Sequence, residues 1–140
     1  MNNSPPDSAN TKGLGYLVVK VSTARGAIPL EDASVNIRGA EKENSNVILS
    51  LRTDSAGRTE RVALPAPPRR LSESPGAILP YALYSVDVFK EGYYDLHFNN
   101  VAVFDSITSV QPAIMIPMAD NKYTDSYDPN ADQSPDDANR

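Results

Sequence analysis

The sequence predicts an all-β fold, a Greek-key-like β-sandwich of about seven strands. Three observations carry this. Apolar residues recur with period two in short runs, and turn-forming Gly, Pro, Asn and Asp separate those runs at close intervals. Twelve prolines and seven glycines leave little room for a helical bundle. No stretch sustains the 3.6-residue period of an amphipathic helix.

The first strand is LGYLVVKVS, in which Leu17, Val19 and Val21 share one parity and Tyr16, Val18 and Lys20 the other. Gly26 and Pro29 then read as punctuation. In ASVNIRG, the residues Ala33, Val35 and Ile37 alternate with Ser34, Asn36 and Arg38. After the polar stretch AEKENSN, an inward set of Val47, Leu49 and Leu51 runs into RTDSAGRTERVALP. Asp54 can accept from backbone two residues on, and Gly57 can adopt positive φ, so this stretch reads as a hairpin corner. Val62 and Leu64 face inward on the returning strand, which Pro65, Pro67 and Pro68 are expected to stop.

Residues 65–80, PAPPRRLSESPGAILP, form a long connection for a small domain. Alternation resumes with Tyr84, Val86 and Val88, turns at Glu91 and Gly92, and continues through Tyr94, Leu96 and Phe98 to Val101 and Val103. A bend at Asp105 and Ser106 precedes a last strand with Val110, Ile114 and Ile116 expected inward. Pro112 marks that strand as an edge or a bulge. The expected organisation is a flexible leader (1–12), one sandwich domain (13–118) and a disordered acidic tail (119–140).

Charge and composition exclude several functions. The net charge is −5, and residues 120–140 hold six Asp against Lys122 and Arg140, leaving −1 for the rest. A nearly neutral body with an acidic tail is a poor match for phosphate, so no nucleic-acid partner is expected. No apolar run reaches the length of a membrane span, and no basic n-region precedes an apolar segment. Cysteine is absent, which removes disulfides, thiol nucleophiles and Cys-based metal sites.

The residues for catalysis are equally sparse. His97 is the single histidine and alternates with Leu96 and Phe98, which aims it outward. No nucleophile elbow, phosphate loop or H-E-x-x-H motif accompanies it. Asp128, Asn130 and Asp132 match the first ligand positions of a calcium loop. Gln133 then stands where glycine is required, and Asn139 where a bidentate Glu belongs. The chain is therefore expected to be no enzyme, with no cofactor and no metal. Pro65, Pro68 and Arg70 also fit P-x-x-P-x-R, but so short a pattern arises often by chance, and the stretch reads instead as a rigid crossover in which proline avoids pairing. In the tyrosine cluster at 81, 84, 93 and 94, Tyr84 and Tyr94 read as core, leaving Tyr81 and Tyr93 available for stacking.

The elements Pro29, Leu30, Ala33 and Val35, then Thr53, Asp54, Gly57 and Arg58, then Gly92 and Tyr93, follow one another in an order that resembles the carboxypeptidase-regulatory-like domain. The resemblance implies a transthyretin-like sandwich that serves as an accessory module. LPAPP and the insertion before PYALYSV are also similar to the N-terminal region of clostridial spore cortex-lytic hydrolases. That likeness implies a protein partner in a bacterial envelope or spore assembly, a peptidoglycan hydrolase among the options. A carbohydrate- or peptidoglycan-binding module and a regulatory prodomain are the rival readings. In a sandwich, specificity falls to loops, so the candidate partner site is Arg69, Arg70, Leu71, Ile78, Leu79 and Tyr81. The arginines would pair with carboxylates while the apolar members add buried area.

Overall fold

The computed structural model describes residues 12–72 and 79–119. The expected leader and tail fall almost wholly outside these residues. The chain forms β1 (Gly13–Thr23), β2 (Ile28–Pro29), β3 (Ser34–Gly39), β4 (Ile48–Arg52), β5 (Val62–Ala66), β6 (Ala82–Phe89), β7 (Leu96–Val103) and β8 (Thr108–Ile114). Among the described residues three short 3-10 turns lie in the β1–β2, β3–β4 and β5–β6 connections. Among the described residues no helix is long and apolar enough to cross a membrane.

The strands make two facing sheets, an all-β sandwich. In the first sheet β1 is central: β5 and β2 run antiparallel along one side, and β8 runs parallel along the other. The second sheet has the order β4-β3-β6-β7, antiparallel throughout. The core lies between their inner faces. Leu17, Val19 and Val21 of β1 and Val62 and Leu64 of β5 meet Val35 and Ile37 of β3 and Tyr84, Val86 and Val88 of β6, all buried. Each such side chain contributes about 1.5–3 kcal/mol on leaving water.

Proline and a bulge fix the edges. At the two ends of β8, Met115 N–H bonds Ser22 O and Ile107 O accepts from Tyr16 N–H, so the backbone groups of odd-numbered residues face β1. Pro112 therefore turns its missing N–H to the free edge, as its residue type requires. In β7, Val101 pairs with Tyr84 and Phe98 with Val86, so Asn99 and Asn100 together oppose Ser85. This bulge, with Asn100 at φ 60, lets the inward parity pass from Leu96 and Phe98 to Val101 and Val103.

Several expectations are corrected. An eighth strand, β2, occupies the segment read as punctuation, because Ala24, Arg25 and Gly26 all take positive φ and fold the chain back onto β1. The Asp54 turn is not a hairpin corner. It carries the chain from β4 in the second sheet to the first sheet, where Val21 N–H bonds Gly57 O and Thr59 N–H bonds Val19 O. Pro65 does not stop β5, because Pro65 pairs with Leu14 on an edge strand that needs no further donor. In the last strand Ala113 and Met115 are buried while Val110, Ile114 and Ile116 are exposed. Edge position inverts the expected parity there, since the outer face of an edge strand tolerates apolar side chains. Tyr94 is 55% exposed and Tyr93 packs against the core, again the reverse of expectation. The irregular backbone between Gly92 and β7, where Tyr93 bridges to Pro117, shifts the alternation by one.

Candidate functional site

Strand direction gathers three connections at one end of the sandwich. There β3, β5 and β7 finish, and β1, β4, β6 and β8 begin, as the pairs Gly13 with Ala66, Gly39 with Tyr84 and Ala82 with Val103 show. The connections span 40–47, 67–81 and 104–107. The long connection is shorter than expected at its start, because β5 runs to Ala66.

Asp105 fastens this end. Its Oδ2 accepts from the Arg69 backbone N–H at 2.9 Å, and its Oδ1 accepts from Leu14 N–H and Ser106 Oγ, each at 3.1 Å. The Arg69 N–H is the largest cause holding the Asp105 carboxyl below its usual range, reinforced by Ser106 and Leu14. Two glycines make room for this turn. A Cβ on Gly13 would meet the Asp105 carboxylate at 2.7 Å, and one on Gly15 would collide with the Phe104 backbone. The far root of the loop is also held: the Tyr81 ring lies 5.7 Å from the Phe104 ring, tilted by 60°.

The site residues expected from sequence fall as follows. Arg69, Arg70 and Leu71 lie in a 3-10 turn, Arg69–Ser72, and both arginines are exposed. Leu79 is half-buried and Tyr81 is 46% exposed. Ile78 lies outside the described residues. The structure brings Arg69 and Tyr81 to one end through Asp105 and Phe104, and it adds Leu14, 50% exposed. Leu14, Phe104 and Asp105 were missed in the sequence. The available signal was Gly13 and Gly15 flanking Leu14 in a strand, a pattern of close backbone approach.

Buried polar groups support the neighbouring loop. Asn44 in the turn Lys42–Asn44 is buried, donates to Leu83 O and accepts from Glu41 N–H. Tyr84 crosses the core to donate to Pro65 O at 2.6 Å, linking the two sheets. Burial raises the Tyr84 phenol above its ordinary range, against the opposing effect of its Asn44 contact.

The other motifs resolve into architecture. Asp54 Oδ1 accepts from Ala56 and Arg58 N–H, and Gly57 sits at φ 78. Thr53 is buried, with its hydroxyl donating to Leu30 O and accepting from Ala33 N–H. Pro68 is buried and Pro65 belongs to β5, so P-x-x-P-x-R is not presented as one extended ligand. His97 points outward as expected, with its side chain 66% exposed and Nδ1 2.8 Å from Asp87 Oδ1; Asp87 Oδ2 accepts from Arg38. Among the described residues, no three His, Asp or Glu side chains group to hold a metal ion.

No family model matches the chain, and no curated protein matches it. Solved structures do. Catechol 1,2-dioxygenase from Acinetobacter sp. ADP1 aligns with TM-score 0.54 and 15% identity, over 83% of this chain and 56% of its own. For 3-chlorocatechol 1,2-dioxygenase from Rhodococcus opacus 1CP the values are 0.51 and 18%, over 82% and 64%. The Bacillus anthracis TIE protein gives 0.50 and 15%, over 76% of this chain and 17% of its own. The chain thus spans less than two thirds of each of these proteins. At such identities the likeness is one of fold alone.

Proposed function

We propose that the chain is a non-catalytic protein-interaction module of the carboxypeptidase-regulatory-like kind, docking an acidic surface of its partner through the end that carries Arg69, Arg70 and Tyr81. The observation that supports it most is the pinning of the 67–81 connection at both roots, by Asp105 and by Phe104. Loop ends held in place before binding lose less entropy on binding. Arg69 and Arg70 are exposed and carry planar guanidinium groups of the shape that carboxylates pair with, and Leu14 and Tyr81 add exposed apolar area at the same end. The proposed partner class is a bacterial envelope or spore protein, a peptidoglycan hydrolase included, on the strength of the sequence resemblance. The non-catalytic reading in this proposal rests on the sequence, in which the single histidine, His97, has no nucleophile motif with it, and on the 66% exposure of its side chain on an outer sheet face.

The test is capture of partners from native lysate on immobilised full-length chain, with Arg69→Ala plus Arg70→Ala beside it. Alanine retains the Arg69 N–H that Asp105 needs, so the thermal midpoint should stay nearly unchanged. Partner retention should fall several-fold. Full retention by the variant, or its unfolding, would make the loop structural and remove the proposal.

A further inference from the structure

We infer that the cleft between the edge strands β7 and β8 binds one uncharged pyranose unit of a glycan. This goes beyond the proposed docking end and lies elsewhere on the sandwich. The cleft has a volume of about 200 Å³ and opens where the two sheets part. Its apolar lining includes Phe98 and Val101, and its polar lining residues are Asn99, Asn100, Ser109 and Gln111. Among the described residues no charged side chain lines it, which disfavours phosphate, carboxylate or cationic ligands.

The residue pattern of β8 is the first argument. Its odd-numbered side chains face inward, and Ala113, with Met115 just beyond, fills the core. Ser109 and Gln111 hold the same parity but place a hydroxyl and an amide, both half-buried, at the mouth of the sandwich. The bulge in β7 is the second. It puts Asn99 and Asn100, both exposed, in the segment that lines the cleft opposite β8, and bulges commonly re-aim side chains at sites. Amide and hydroxyl groups beside an apolar lining match a sugar ring, whose hydroxyls need donors and acceptors while its C–H face needs apolar contact.

An extended peptide would use the strand edges instead, and both edges are blunted here. Pro112 lacks an N–H, and its carbonyl already accepts from Gln111 Nε2 at 2.8 Å. On the other strand the Asn99–Asn100 bulge, which interrupts the β6–β7 register, breaks the regular spacing of backbone groups along β7.

Full-length protein labelled with nitrogen-15 would be titrated separately with tri-N-acetylchitotriose, cellotetraose and maltotetraose. At least one probe should shift the side-chain amide signals of Asn99, Asn100 and Gln111 saturably. Gln111→Ala should weaken that binding by roughly tenfold, the scale of one or two lost hydrogen bonds. Ser109→Leu, which fills the cleft without touching the amides, should abolish it and covers the case in which Gln111→Ala does not fold. Arg69→Ala plus Arg70→Ala should bind like the wild type, so loss of the docking proposal leaves this one standing. Unshifted amide signals with all three sugars, or undiminished binding by folded Gln111→Ala or Ser109→Leu, would overturn the inference.

Discussion

At the scale of single residues, the polar groups with the largest consequences are those that hold turns against strands. Thr53 both donates to Leu30 O and accepts from Ala33 N–H while buried. Thr53→Val keeps the shape but orphans both backbone groups, so urea denaturation should show a loss of about 1–3 kcal/mol. Gly57 combines φ 78 with a Cβ direction that runs into Val21 O. Gly57→Ala should therefore cost more than about 1 kcal/mol in the same measurement, and Asp54→Ala less, because its exposed N–H partners can turn to water. Asp105 makes stability depend on pH. Its folded carboxyl titrates below the ordinary value of about 3.9, so its contribution is complete above that pH and is lost as pH falls through the folded value. The stability gap between wild type and Asp105→Asn should accordingly narrow on acidification. A gap that widens would contradict the hydrogen-bond arrangement at this turn.

At the scale of elements, β8 separates pattern from position. Met115→Ala, following the inner parity of that strand, should cost about 2–5 kcal/mol, whereas Ile116→Ser should stay within about 0.5 kcal/mol of wild type. Equal costs would mean that both faces of the segment are buried. The reason for the inverted reading is physical: Val110, Ile114 and Ile116 are more conspicuous in sequence than Ala113, but an edge strand can leave its outer face apolar. The clean alternation of β1, β3 and β6 was legible because those strands lie inside their sheets and their inner faces meet the opposite sheet. The Asx turn at Asp54 was legible from local chemistry. That it passes between sheets was not, since pairing partners depend on the whole chain. Gly13, Gly15 and Asp105 were illegible as a unit because contact between residues so far apart in sequence leaves no local period.

At the scale of the whole molecule, the sandwich separates its tasks. The end bearing the Asp54 turn is occupied by backbone and threonine hydroxyl bonds that join β1 to its neighbours, with Val19 N–H donating to buried Thr59 Oγ1 and Thr23 Oγ1 donating to Met115 O. The other end carries the long connection, the Asp105 anchor and the exposed Leu14 and Tyr81. Its loop length and arginines could be read from the sequence, while its geometry could not. Hydrogen exchange on the full-length chain, with and without its captured partner, tests this division most directly. Protection on binding is expected at the described backbone of 67–72, 79–81 and 104–107, with 53–59 and 90–95 unchanged. Protection confined to 53–59 and 90–95, with the loop-bearing end exchanging as in the free protein, would contradict the docking end proposed for this fold.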